Sequence, residues 1–477
     1  MTPSTSDPAD NNSSRRGPLT RRRLLRAGAI LAGGIAALAI GGTTAYYTTR
    51  YPASSAHSGW LAIRGATVLN GADLEPLQEA VVLVQDGRIV EVGAGVEIPE
   101  DAEVLDLPGG TILPGLIDMH THLSYPDIEP GEEFGGSDIP GYIWDVSRYM
   151  PEMRRSLLGH GVTTVRSLGD ELAWVLELRT AIADGTLEGP RIFCAGPVLT
   201  TPDGHPISTH GTEADTDAVR LPGTPQEAEE IVAELLDGDR PVDVIKVIQE
   251  SGTPDNALPP HDLEVLETIV TSAHERGVPV TAHCGSMTDL TQAVDAGVDG
   301  VEHLSMRDPS TPSDEIVEGV GMAWPEGMLE QMAESGLTLD PTLVVELANL
   351  ATESPEGAEA RNRVFERLME AHEAGVAVVA GSDAAIPGVS FGSSLVEEIE
   401  ALGAAGLSRQ DALRAATVQA ASALGSDDIG VIEPGRAADL LVVDGDPLTD
   451  LSVLHQVVSV LRDGRVVAGD QEPVEGS

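Results

Sequence analysis

Apolar residues follow two different periods along this chain. From residue 60 to about 107 they come in short runs, at 60–69, 80–85, 88–92 and 103–107, broken by turn residues. Such runs read as strands. Asp86-Gly87 falls between two of them, and this dipeptide suits a two-residue hairpin turn that needs positive φ at both positions. The same pattern returns at 438–444 and 457–467, with a second pair at Asp463-Gly464. Neither group is long enough for its own core, which predicts one small β-sandwich assembled from both chain ends. Between them, strand-like runs at 111–116, 161–167, 191–196, 242–248, 278–282, 300–303, 337–339 and 376–380 alternate with helix-like stretches such as 261–276, 287–296, 327–335 and 361–374. Gly277, Gly297, Gly336 and Gly375 stand where helices should stop, a position that favours a left-handed residue. Eight strands with intervening helices over roughly 270 residues is the count for an α/β fold of the closed (β/α)8, TIM-like kind. An open doubly wound sheet is the alternative, but no Gly-rich phosphate turn favours it. A helical stretch at 394–425 precedes the C-terminal strands.

The first 56 residues read differently. Thr20-Arg-Arg-Arg-Leu-Leu-Arg26 stands before an apolar run from 27 to about 45, and a basic segment ahead of an apolar one is an export signal. The adjacent arginines resemble a twin-arginine signal, with Ser54-Ser-Ala56 as the expected cleavage site. The run is long enough to span a membrane but rich in glycine, which weakens an anchor reading. The expected organisation is therefore a signal and tether at 1–56, sandwich at 57–113, barrel at 114–428, sandwich again at 429–470 and a tail at 471–477. An exported protein is the consequence, with any membrane contact confined to an uncleaved signal.

Composition narrows the partners. Hydrophobic residues make up 41% of the chain and aromatic ones only 3%, so the core must be largely Val, Leu, Ile and Ala. A formal net charge of −49 makes nucleic acid and anionic membranes poor partners. Two cysteines, Cys194 and Cys284, are too few for a disulfide framework. Of 28 basic side chains, every one but Lys246 is arginine. Composition bias explains the missing lysines but not the one retained.

On a (β/α)8 barrel, chemistry gathers where the strands end at the carboxyl face. The first strand run leads into His120 and His122, two apart and so on one strand face. Two imidazoles placed that way can grip a divalent metal. The fourth strand carries Lys246, the fifth ends in His283, the sixth in His303 and the eighth in Asp383. Each alone could be a hydrogen-bonded or capping residue; together they put six metal-competent or activatable groups on five strand ends. Weaker candidates are His205, in a loop after the third strand, and Arg166, ending the second, which could meet a substrate carboxylate or pair with an acid. His160, His274 and His372 sit near helix C-termini and read as structural.

This set resembles the amidohydrolase superfamily, most closely its imidazolonepropionase-like and Xaa-Pro-dipeptidase-like members. Gly161-Val-Thr-Thr-Val-Arg-Ser-Leu-Gly169, Gly189-Pro-Arg-Ile192, Ala412-Leu-Arg-Ala-Ala-Thr417 and Ile432-Glu-Pro-Gly-Arg-Ala-Ala-Asp-Leu440 add to the match, which covers about residues 60–468. The resemblance implies that His120, His122 and Asp383 bind one divalent ion, that His283 and His303 bind a second, and that Lys246, carboxylated by carbon dioxide, bridges them. An amine can become such a carbamate, whereas a guanidinium held protonated cannot. Zinc suits the ligands; Mn, Co, Ni or Fe would also fit. A metal-bridging hydroxide would attack a C–N bond in a small molecule or dipeptide, with Asp383 as general base and acid. His205 roughly matches a substrate-contacting loop histidine of relatives. Alternatives are a single-metal, imidazolonepropionase-like cyclic amide hydrolase, a lactonase and a non-catalytic metal-binding barrel. Substrate and oligomeric state, including a homo-oligomer, stay open.

Overall fold

The computed structural model describes residues 59–124 and 139–469, apart from 211, 213, 215, 305–306, 313–314, 316–318, 351–353 and 387, together with 474–475; side chains of the helix beginning at 139 are described from residue 149. The expected export signal lies outside the described residues. Among them, no helix is long and apolar enough to cross a membrane.

Both chain ends join in one nine-stranded mixed sheet, consistent with the expected sandwich. Gly110–Pro114 pairs antiparallel with Leu440–Asp444, so the two ends are hydrogen-bonded to each other. Trp60–Asn70 pairs parallel with both Glu103–Asp106 and Gly110–Pro114, and antiparallel with Glu75–Gln85, where the register shifts between Ile63 and Val68. Val474–Glu475, expected within the tail, pairs with Glu103–Asp106. Alternation divides the sheet's two faces. Ile63, Val82, Ile112, Leu440 and Val442 form an inner core, while Leu113, Leu441 and Val443 turn to the larger core of the molecule. Asp86 and Gly87 have φ of 49° and 80°, and Asp463 and Gly464 have 48° and 70°. Both Asp-Gly pairs therefore make the expected turns with positive φ at each central residue. The turns abut: a Cβ on Gly87 would lie 2.8 Å from the Asp463 carbonyl oxygen.

The middle of the chain forms parallel strands alternating with helices. Leu116–Thr121 (β1), Val162–Ser167 (β2) and Arg191–Cys194 (β3) make one arc. Ile245–Gln249 (β4), Val280–Cys284 (β5), Gly300–Glu302 (β6), Thr338–Asp340 (β7) and Ala377–Val378 (β8) belong to a second, seven-stranded arc that begins with the short pieces Val219–Arg220 and Val198–Leu199. Backbone bonds join the arcs at both ends. Met119 N donates to Ala380 O at 3.0 Å beside β1 and β8, and Asp243 N donates to Cys194 O at 2.8 Å between β3 and β4. Gly277, Gly297, Gly336 and Gly375 take φ between +70° and +93°, as their place after helices predicts. The helical stretch is three helices, Ser393–Ala405, Arg409–Ala415 and Val418–Ala423.

One expected strand is two. The run at 111–116 divides at Gly115: Gly110–Pro114 belongs to the mixed sheet and β1 starts at Leu116. Every residue of both segments is buried, so hydrophobic period carries no trace of the change of sheet. Gly115 also permits close packing. A Cβ there would lie 2.2 Å from Thr163 Oγ1 and 2.9 Å from Thr163 Cβ, and a β-branched side chain has no rotamer that clears both. Gly115→Ala is expected to cost about 1–3 kcal/mol by overpacking. Denaturant unfolding would read this as a lower midpoint at unchanged slope; an unchanged midpoint would show that Thr163 relaxes freely.

Candidate metal centre

The strand ends converge. Across β5, β6 and β7, His283, Glu302 and Asp340 stand in register, and Lys246 on β4 pairs with Thr281, two residues below His283. Partners in register share a face, as do residues two apart, so these side chains all enter one interior. His120 enters from β1 and Asp383 from just beyond β8.

Asp383 lies between two imidazoles. Its Oδ1 is 3.4 Å from His120 Nε2 and 3.2 Å from His122 Nε2. These three residues bring one ligand atom each within 4.8 Å of one another. The His303 ring lies 5.1 Å from that of His120 and 4.7 Å from that of His283. Burial works against the Asp383 carboxylate, but His120, His122 and His303 outweigh it and hold the carboxyl far below its usual range. Burial pushes His120 down to about 4, so its ring is neutral at pH 7, the state that ligates metal.

The backbone is distorted to aim these groups. His303, Thr342 and Asp383 have φ of 72°, 44° and 56°, a region that costs a non-glycine residue about 1–3 kcal/mol and persists where surrounding bonds over-determine it. Those bonds are visible. Asp383 N donates to His120 O and His303 N to Asp340 O, both at 2.8 Å. Asp118 binds Ser382 twice, accepting from N at 2.9 Å and from Oγ at 2.6 Å. It thereby ties β1 to the turn that carries Asp383, and burial lifts its carboxyl to about 6.

Carboxylates or a hydroxyl lie beside a ring nitrogen of three of the histidines. His120 Nδ1 lies 3.0 Å from Glu302 Oε2. His303 Nδ1 meets Thr342 Oγ1 at 2.8 Å. His283 Nε2 lies 3.5 Å from Glu250 Oε2. Partners of this kind fix the tautomer and ring angle of metal-binding histidines. His205 stacks on His283, its centroid 4.6 Å away with an interplanar angle of 10°, and Thr209 Oγ1 sits 2.7 Å from its Nδ1. Burial drives His205 down to about 2.

Arg166 is an ion-pairing residue in this structure. Its Nη2 donates to Glu302 Oε1 at 2.7 Å and its Nε to Met119 O at 2.6 Å, and it is 4% exposed. A second trio with metal-binding reach, His120, Glu302 and Asp340, is already served by this guanidinium, which also lies 3.8 Å from Asp340 Oδ2. Asp340 is pushed well above the ordinary carboxyl range, first by burial and then by Glu302.

Lys246 differs from every other cation described. It is 2% exposed, and its Nζ has no hydrogen-bond partner among the described residues. A buried ammonium without a partner is strongly disfavoured. Burial accordingly lowers its pKa, with Glu302 opposing.

Several neighbours escaped the sequence reading. Glu302 stands next to His303, and Asp340 one residue beyond the expected seventh strand; both are acids at strand ends, the signal used elsewhere. Glu250 and Thr342 lie in loops and gave no signal. His274 pairs with Asp299 at 2.8 Å, and His160 Nδ1 is 2.8 Å from Ser156 O, both in structural roles. Cys194 and Cys284 are buried free thiols.

Divalent ions fit this set. Among the buried atoms without a hydrogen-bond partner are Asp383 Oδ1 and Lys246 Nζ, and imidazoles and a carboxylate are the donors such ions prefer.

Comparison with known proteins shows the family. The sequence model of the Amidohydrolase family matches residues 111–467. An ochratoxinase of Aspergillus niger is 25% identical over 449 residues, the match covering 85% of this chain and 86% of that protein. A Xaa-Pro dipeptidase solved with methionine bound in its active site is 25% identical, with a TM-score of 0.69 over 86% of this chain and 100% of the other. A prolidase solved with N-methylphosphonate-L-proline is 26% identical, with a TM-score of 0.67 over 86% of this chain and 100% of the other.

Proposed function

Because this chain belongs to the amidohydrolase family, and is thus a metal-dependent hydrolase acting on carbon–nitrogen bonds, we propose that it cleaves the amide of a dipeptide or similar small molecule at a two-ion centre. The reading takes the two parallel arcs as one closed (β/α)8 barrel at about 114–428. The backbone bonds from Met119 to Ala380 and from Asp243 to Cys194 support it.

The observation that carries the proposal is Lys246. In a chain that uses arginine wherever a positive charge suffices, the single lysine is buried in the interior and its amine is unpartnered among the described residues. An ammonium makes no hydrogen bond there to any described residue. A carboxylated amine would present anionic oxygens between the two histidine groups. On this reading His120, His122 and Asp383 would hold one ion, His283 and His303 the other, and carboxylated Lys246 both. Bound ions supply Lewis acidity, which makes water a nucleophile near neutral pH and polarises the scissile carbonyl.

The remaining work falls to side chains. Asp383, ionised at neutral pH, takes the proton of the attacking water and returns it to the leaving nitrogen as the C–N bond breaks. Glu302, held by Arg166, faces His120 Nδ1 and so leaves Nε2 on the side of Asp383. His205, stacked on His283, is placed to meet the substrate. The substrate class follows the relatives, whose structures hold an amino acid and a proline phosphonate. A panel of Xaa-Pro and other dipeptides, N-acyl amino acids, hydantoins and lactones, offered to metal-supplemented protein, should show amide turnover. Lactone turnover without amide turnover would overturn the assignment.

We also propose export through the twin-arginine signal read at 20–26. Replacing Arg21 and Arg22 together by lysine keeps the charge. Loss of secretion is expected, because recognition rests on the guanidinium pair; normal secretion would refute it.

A further inference from the structure

Two histidines of the site carry the same attachment. His120 Nδ1 faces Glu302, and Glu302 is held by Arg166. His283 Nε2 faces Glu250 Oε2 at 3.5 Å, and Arg307 Nη2 lies 3.3 Å from Glu250 Oε1. Glu250 follows β4 and Arg307 follows β6, so this second His–Glu–Arg group links three strand ends around His283.

The place of the Glu250 carboxylate is built. Gly252 N donates to Oε1 at 2.6 Å. Arg307 Nη2 bonds Gly252 O at 2.8 Å as well as the carboxylate. Gly285 leaves the space: a Cβ there would lie 1.3 Å from Glu250 Oε2 and 2.1 Å from its Cδ. Gly285 does not have positive φ, so steric room explains it better than backbone freedom. The carboxylate is about nine-tenths buried, as is the guanidinium. On its other side the His283 ring is covered by His205.

Building on the two-ion reading above, we propose that Glu250 is a positioning residue for the second ion. By accepting the proton-bearing Nε2 of His283 it leaves the lone pair on Nδ1 as the ligand, and Arg307 holds it in place. Glu302 faces His120 in the same way from the other nitrogen, 3.0 Å from Nδ1. Glu250 itself need not touch substrate or ion. The two histidines would then ligate through opposite nitrogens, His120 through Nε2 and His283 through Nδ1.

The test is metal titration of apoprotein against a chromophoric chelator, with zinc, reading the two affinities separately. Wild type should take up about two ions, and Glu250→Ala should hold the second about 10- to 100-fold more weakly, the usual loss when such a partner of a ligand is removed. The first ion should be unaffected. Gly285→Ala, which fills the cradle while leaving Glu250 in the sequence, should weaken the same ion. Formate added to Glu250→Ala should recover part of the affinity, since it can occupy the vacated carboxylate position; a general structural defect would not respond. Two ions held by Glu250→Ala as tightly as by wild type would overturn the inference alone, as would a loss that formate leaves untouched. A wild type that binds a single ion would overturn the two-ion reading and this inference with it.

Discussion

Lys246→Arg is expected to abolish hydrolysis and to lose at least one metal ion. If Lys246 served only as a positive charge the change would be nearly silent, because arginine fills that role at all the other basic positions. As a carbamate bridge it cannot be replaced by a guanidinium, which holds its proton. The substitution would set a permanent cation beside two divalent ions. At about 4 Å and an effective dielectric of 20, each unit of ion charge costs about 4 kcal/mol. The site offers little relief, since Lys246 is 2% exposed and its Nζ has no hydrogen-bond partner among the described residues. Lys246→Ala should behave differently. It leaves a gap without a charge, and acetate or formate should restore part of the rate. Steady-state kinetics beside metal analysis reads both variants. An active Lys246→Arg holding both ions would leave Lys246 as an ordinary cation.

Asp383→Asn is expected to lower kcat by at least ~10². The amide keeps the size of the side chain but accepts no proton at the position Oδ1 occupies, 3.4 Å from His120 Nε2 and 3.2 Å from His122 Nε2. Two effects mix here, because the carboxylate is also a proposed ligand, and metal content separates them. Both ions retained with a collapsed kcat isolates the proton transfer. A lost ion assigns the defect to ligation. Both ions retained with near-normal kcat would require another base.

Much of this site was legible because its members are strand-end residues of unusual type for their surroundings. His120, His283, His303 and Asp383 close apolar runs, and a barrel expectation brings such ends together. Structure adds how they are held, and here the sequence says little. Glu302 lies beside His303 and could have been picked out; Asp340 was hidden by a strand boundary set one residue short. Glu250 and Arg307 come from separate loops, and only three-dimensional proximity links them. Arg166 shows the same limit, since nothing in a linear reading says whether a strand-end arginine faces a substrate or an acid four strands further along the chain. In the fold, Gly277, Gly297, Gly336 and Gly375 were legible because a left-handed helix end favours glycine. The break at Gly115 was not, because the strands on both sides are buried throughout, and alternation cannot mark a boundary between two buried strands.

The central claim is a two-ion centre, and elemental analysis of the purified, metal-supplemented wild-type protein tests it most directly. About two divalent ions per chain are predicted, the arrangement in which a pair of metals activates water and polarises the carbonyl together. One ion per chain at full activity would contradict it.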